Sequence, residues 1–292
     1  MLRRFVRTCL LVTLPTLGCQ KPPVETIPPA EAQATPPAPE QTPAEPLPPA
    51  EELLTQAVDA AGGKAAFEAI TSSYTKATSE VRGQGITIVT ESWTKGDDYY
   101  SVGSIPGLGD QEQWRKGDEF WSKDPVFGFR KLEGKELAQA RWVAEGPLLA
   151  ASWQDYFASA QTTGRTDDGL LEVTLSAEDG DTVVLHIDPQ SHLLVGMAFE
   201  QVSPMGAIPV RNRMSDFREV DGVKIPFETI MEVQMQTMVT KTEAFDIGVE
   251  IEDAKLEPPG PDGQKPAAEP EEAAKPAKKG SKAPKSKKAS KG

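Results

Sequence analysis

The chain has 292 residues and a net charge of −13. Two cysteines and two histidines are too few for a disulfide framework or a cysteine-rich metal site. Beyond the N-terminal segment no run of 18 or more apolar residues occurs, which excludes a second membrane-spanning helix of ordinary length.

Arg3, Arg4 and Arg7 make a basic stretch, and Phe5, Val6 and residues 9–14 a short apolar one. A segment of this size and polarity is an export signal, too short to cross a bilayer as a stable helix. Pro15-Thr16-Leu17-Gly18-Cys19 follows and resembles the bacterial lipobox, in which a small residue precedes a cysteine that becomes the acylated N-terminus. The lipobox usually has Leu or Val three places before that cysteine; here the place is Thr16, and Leu17 comes one later. The resemblance implies removal of residues 1–18 and lipidation of Cys19. Each buried CH₂ contributes roughly 0.8 kcal/mol, and two acyl chains suffice for stable anchoring. Cys9 leaves with the signal, so thiol catalysis and cysteine zinc sites are excluded from the mature domain. Gln20 stands where some inner-membrane lipoproteins carry aspartate, which points to the outer membrane, facing the periplasm.

Residues 19–49 are rich in Pro, Ala, Glu and Thr, a composition that predicts a disordered tether. At about 3.1 Å per residue it reaches roughly 90 Å when extended. Residues 258–292 form a Lys/Ala/Pro-rich tail whose end is almost purely basic. Lysine runs elsewhere signal nucleic acid, which export removes as a partner. A solvated tail and weak contact with anionic envelope polymers or headgroups are the two expectations.

Residues 50–257 form the core. Pro49 and the acids Glu51 and Glu52 open a helix, Leu54, Ala57, Val58 and Ala61 recur at helical spacing, and Gly62-Gly63 stops it. A second short helix spans 64–70. From Tyr74 the period changes to two. Strands are expected over 86–93, 99–105, 111–115 and 119–122, then helices over 134–144 and 147–157. Further strands follow over 170–177, 182–188, 193–203, 207–217, 227–236 and 238–247. Gly-Asp, Asp-Pro, Met-Gly and Asp-Gly pairs punctuate them. The fold class is α+β, mainly β: about ten or eleven strands in an antiparallel meander, with helices on one face.

Met231, Val233 and Met235 share one strand face, and every methionine except Met1 lies between Met197 and Met238. Methionine adapts to varied apolar partners. This face is either sheet core or the lining of an apolar cavity. The candidate lining is Ile88, Trp114, Trp121, Met197, Phe199, Met231, Val233, Met235 and Met238. Trp93, Trp114, Trp121, Trp142 and Trp153 either pack in the core or line a groove for a glycan or lipid.

Several ordered segments resemble the LolA/LolB-type superfamily of lipoprotein and lipid carriers, and more closely its outer-membrane lipoprotein-sorting-like members. They are Ala60-Ala61-Gly62-Gly63-Lys64, Ile105-Pro106-Gly107-Leu108-Gly109, residues 121–134, Ile187-Asp188-Pro189 with Leu193-Leu194-Val195, and Ser203-Pro204-Met205-Gly206. The longest is Asp216-Phe217-Arg218-Glu219-Val220-Asp221-Gly222-Val223-Lys224-Ile225-Pro226-Phe227. Together they cover most of residues 50–257. The resemblance implies an incomplete antiparallel β-barrel around a few helices, with a hydrophobic cavity for acyl chains, no reaction and no catalytic residues.

No nucleophile elbow, phosphate loop, zinc-protease helix or dinucleotide fingerprint occurs. His186 and Asp188 share a strand face and His192 follows a turn, but a metal needs three or more converging ligands. No metal or cofactor is expected. The expected function is that of a monomeric, membrane-anchored lipoprotein of the cell envelope that binds lipid or lipoprotein acyl chains without catalysis. The alternative is an envelope interaction or stress-sensing module with a filled core.

Overall fold

The computed structural model describes residues 46–260. The export signal, Cys19, most of the proline-rich segment and the basic tail lie outside the described residues. Helix α1 (Ala50–Ala60) carries Glu51 and Glu52 in its first turn, where the helix dipole favours acids. It buries Leu53, Leu54, Ala57 and Val58, an i, i+1, i+4, i+5 stripe. Gly62, with φ +123°, turns the chain into α2 (Lys64–Glu68). A Cβ on Gly62 would stand 2.3 Å from the Gly222 carbonyl oxygen. The Lys224 amide donates to the Ala61 carbonyl at 2.8 Å, so the helix junction is clamped to a distant hairpin.

The first meander is β1 (Ser72–Val81), β2 (Ile86–Lys95), β3 (Asp98–Ile105), β4 (Gly109–Lys116), β5 (Glu119–Asp124) and β6 (Gly128–Lys131). A helical connection follows: α3 (Gly134–Ala144), a 3-10 turn (Gly146–Leu148), α4 (Leu149–Ser152) and a second 3-10 turn (Trp153–Asp155). The single helix expected over 147–157 is thus broken into three pieces. The second meander is β7 (Ser159–Arg165), β8 (Leu171–Ser176), β9 (Thr182–Ile187), β10 (Leu194–Ser203), β11 (Gly206–Val220), β12 (Val223–Val233) and β13 (Gln236–Ile247). A last short helix is α5 (Asp253–Leu256).

All strands join one antiparallel sheet in the order β6-β5-β4-β3-β2-β1-β13-β12-β11-β10-β9-β8-β7. Pairing of β1 with β13 fuses the two meanders, and β6 and β7 remain as free edges. The sheet is open, antiparallel and mainly β, as the sequence led one to expect, but it has thirteen strands. The two edge strands make up the difference. β6 has four residues and β7 (SAQTTGR) has no large apolar side chain, so neither shows an alternating pattern.

The sheet is strongly curled. Helix α3 touches both β5 and β10, which stand eight places apart in the strand order. On a flat sheet those strands would lie about 38 Å apart, whereas an 11-residue helix is about 16 Å long. Curling brings both limbs to one helix. The main core fills one side of the concave face: Leu54 and Val58 of α1 and Leu149 of α4 pack on Val173, Leu175, Leu185 and Ile187.

Strand alternation assigns the opposite face. Arg130 is in register with Ser122 and reaches α3 through Glu136, whereas the neighbouring Trp121 is in register with Trp114 and Trp114 with Tyr100. Tyr74, Trp93, Tyr100 and Trp114 form a ladder across β1–β4 with ring centroids 5.3–5.7 Å apart. Leu256 and Ile251 cover it, and the Lys255 ammonium lies 3.7 Å from the Trp93 ring centre. Three of the five tryptophans belong to this outer cluster, and Trp142 and Trp153 belong to the main core. All five pack in or against one of these two clusters.

Candidate functional site

Between the two limbs, under α3, lies an open cavity of about 890 Å³. Its size is within the usual range for small-molecule sites. One wall comes from β10–β12, where Phe199, Val210 and Met231 face inward with Asn212 among them. These positions follow from register: Phe199 pairs with Val210, and Asn212 pairs with both Met197 and Met231. The other wall comes from β3–β6, where Tyr99, Gln111, Gln113, Arg115, Ser122 and Arg130 face inward. They are the residues that alternate with the outer aromatic ladder.

The charged groups of the lining are accounted for locally. Arg130 forms a two-pronged ion pair with Glu136 of α3, at 2.7 and 2.9 Å. Arg115 lies 3.8 Å from Asp97 and stacks over Phe120. Asp124 Oδ1 accepts hydrogen bonds from the Val126 and Phe127 amides, both at 2.8 Å, which shapes the β5–β6 turn. Asn212 Oδ1 and Arg130 Nε are buried without a hydrogen-bond partner among the described residues.

The rim is apolar and exposed. Leu108 in the β3–β4 turn is 67% exposed and Val126 in the β5–β6 turn 77%. Phe127 and Val143 border the same opening, and the exposed Met205 follows Pro204 of the lining. Four of the eight large apolar side chains that the described residues expose, Leu108, Val126, Phe127 and Val143, therefore line this opening.

Of the nine residues expected to line a cavity, Trp114, Trp121, Phe199 and Met231 border this one. The two indoles do so while packing in the outer ladder. Met197 packs against the main core, Val233 pairs with Val210, Met238 pairs with Met231, and Ile88 pairs with Ser79 on β1. None of these four borders the cavity. Met235 is fully exposed, because β12 ends at Val233 and the chain reverses at Gln234 (φ +53°) instead of running to residue 236. Sequence reasoning missed the polar wall, although Gln111, Gln113 and Arg115 alternate with Glu112 and Trp114 and so announce one face of β4.

His186 Nε2 lies 3.6 Å from Glu172, and burial pulls its pKa below the ordinary histidine value. His192 sits in the β9–β10 turn, its amide bonded to the Asp188 carbonyl. Among the described residues no group of three or more His, Cys, Asp or Glu side chains converges as a metal site.

No family model matches this chain, and no curated protein matches it. Solved structures do. One is a DUF1329 family protein from Desulfovibrio piger, at 14% identity and TM-score 0.47, covering 72% of this chain and 98% of that one. Another is a LolA superfamily protein from Nitrosomonas europaea, at 18% identity and TM-score 0.45, covering 72% of this chain and 98% of that one.

Proposed function

We propose that this chain is a monomeric lipoprotein of the cell envelope, anchored through Cys19 to the outer membrane and facing the periplasm. It holds the acyl chain of a lipid or of a lipoprotein in the cavity under α3, without catalysis. The observation that carries this is an open cavity of about 890 Å³ with an apolar wall of Phe199, Val210 and Met231 and an exposed apolar rim. Burying roughly eight methylenes there contributes ~6 kcal/mol before the cost of association. The nine residues proposed as lining reduce to the four that border the cavity, joined by Val210 and the rim.

Native mass spectrometry of the protein purified from its own envelope tests this. Retained acyl-bearing mass, lost on organic extraction, is the expected result. A protein that leaves the envelope empty and takes up no acyl compound overturns it. The mass of the mature N-terminus tests the anchor separately: an unacylated Cys19 would make the protein a free shuttle.

A second function, contact with an envelope protein or sensing of envelope stress, is favoured by the exposed rim alone. A single specific crosslinked partner with no bound lipid would select it.

A further inference from the structure

The two walls of the cavity both mix apolar and polar groups. The β10–β12 wall carries Phe199, Val210 and Met231 with Gln201, Ser203 and Asn212 among them, and the second wall, β3–β6, sets amides and hydroxyls beside Ile105 and Phe120. An acyl chain alone would leave the second wall facing hydrocarbon, with its amides unpaired, which is unfavourable. We propose that the occupant joins its acyl chain to a neutral head group rich in hydroxyls or amides, as in an acylglycerol or a glycosylated lipid, and not to an ionic one. This rests on the acyl-binding function proposed above.

Three observations lead there. First, each charged group of the lining already meets an opposite charge or turn amides, and only Arg130 Nε is buried without a partner among them. Arg130 is engaged by Glu136, Arg115 faces Asp97, and Asp124 is engaged by two turn amides. Two arginines stand against three carboxylates in the lining, so an added carboxylate or phosphate meets a slightly repulsive field. Second, the amides Gln111 and Gln113 and the hydroxyls of Tyr99 and Ser122 offer both donors and acceptors. Such groups match sugar or glycerol hydroxyls, which also donate and accept. Third, Asn212 Oδ1 is buried and unpartnered in the β10–β12 wall. Its register neighbours on both sides are Met197 and Met231, so no neighbouring strand supplies a donor. A buried amide oxygen between methionines is costly unless something in the cavity bonds to it. Read with either amide orientation, it lacks a partner that a hydroxyl can supply, since a hydroxyl both donates and accepts.

The test holds the chain constant and varies the head. Full-length protein, stripped of endogenous lipid, is titrated below micellar concentrations with dodecanoate, dodecyltrimethylammonium, 1-monododecanoylglycerol and dodecyl maltoside. Glycerol and maltose alone are the controls. The neutral heads are expected to bind at least tenfold more tightly than either ionic head at pH 8, and the chainless controls not to bind. Gln113→Leu, at an exposed position of the polar wall that leaves the core untouched, is expected to remove most of that preference. Asn212→Leu is expected to raise affinity for plain dodecane-bearing probes and lower it for the maltoside. An ionic head binding as tightly as the neutral ones overturns the inference while leaving acyl binding intact. Maltose binding as tightly as its dodecyl derivative supports the neutral-head site and removes the acyl function. Failure of every dodecyl compound and both controls overturns both.

Discussion

Gln139 and Val202 pair as two strand residues would. The Val202 amide donates to Gln139 Oε1 at 2.9 Å, and Gln139 Nε2 donates to the Glu200 carbonyl at 2.8 Å. β9 pairs with β10 only as far as Phe199↔Val183. The side chain of one helical residue therefore continues the ladder where a strand stops. Trp142, on the same helix, meets Phe199 edge-on at 5.1 Å, and Glu136 holds Arg130 on the opposite limb. Helix α3, with Trp142 as its only buried residue, is further tied by the exposed Lys135 to Asp181 and by Arg141 to the Asp118 carbonyl.

Gln139→Ala leaves the Val202 amide and the Glu200 carbonyl without their partner, at a cost of about 1–3 kcal/mol. Hydrogen exchange at Val202 is expected to accelerate far more than at Val210, which keeps its ladder. Gln139→Glu retains the acceptor and loses the donor, so Val202 stays protected while stability still falls. Unchanged exchange at Val202 in the alanine variant would show that the helix is held by packing alone.

The junction after α1 separates two glycines that look alike in sequence. Gly62→Ala drives a Cβ to 2.3 Å from a backbone carbonyl that has no freedom to turn away. The expected loss is about 3 kcal/mol or more. Gly63 also has a positive φ, +85°, but nothing lies within 4 Å of its Cβ position, so Gly63→Ala costs about 1 kcal/mol. For a domain of this size each kcal/mol moves Tm by about 2–4 °C. Equal shifts in thermal unfolding for the two variants would contradict the close approach.

His186 gives the fold a pH dependence. Burial lowers its pKa from the ordinary 6.5, and the nearby Glu172 and Asp168 offset this only in part. The unfolded chain therefore takes up the proton first as pH falls. Between the ordinary value and the lowered one the unfolded state binds more protons, so stability falls as the pH drops through that window. Denaturant unfolding is expected to show a positive slope of stability with pH just below 6.5, flattened by His186→Gln. A slope that survives this substitution would place the titration elsewhere.

Leu256 is fully buried against the Trp93–Tyr100–Trp114 ladder although it belongs to a helix of four residues. Leu256→Ala is expected to cost about 2–4 kcal/mol and to change the near-ultraviolet circular dichroism of the stacked rings. Around it, Lys95 bonds Asp253 at 2.6 Å, and Lys116 bridges Asp98 and Glu257 at 2.8 and 2.7 Å. Those exposed pairs contribute little each. A Leu256→Ala protein as stable as the parent would mean that the terminal segment does not stay on the ladder in solution.

The hairpins were legible in the sequence where a turn signal met an alternating strand, as at Lys116-Gly117-Asp118 between β4 and β5. Edge strands β6 and β7 were not, because β6 has only four residues and β7 has no large apolar side chain to mark its inward face. The β12–β13 turn was misplaced because Gln234, a residue with no turn preference, takes the left-handed conformation. That shift of position carries Met235 from an expected lining into solvent. Helix α1 was read from its apolar stripe, but α5 is too short to show a period. The site was half visible. Phe199 and Met231 follow from apolar alternation, whereas the polar wall needs the curl of the sheet, which depends on β5 and β10 meeting one helix.

The rim offers the last prediction. Leu108, Val126 and Met205 lie in three different turns, each largely exposed. Leu108 and Val126 border one opening, and apolar side chains gathered at a groove mark a contact site more often than single ones do. If acyl chains enter over this rim, Leu108→Asp together with Val126→Asp should slow transfer of a fluorescent neutral acyl lipid from vesicles by tenfold or more. The substituted positions are exposed, so Tm should move by no more than ~2 °C. Equilibrium binding of a short soluble acyl probe should be nearly unchanged, because the wall of Phe199, Val210 and Met231 is intact. A loss of equilibrium binding without a change in transfer rate would place these residues inside the site and leave its entrance elsewhere. Equal rates for parent and variant would make the rim a surface for some other contact, which is the outcome the protein-docking alternative requires.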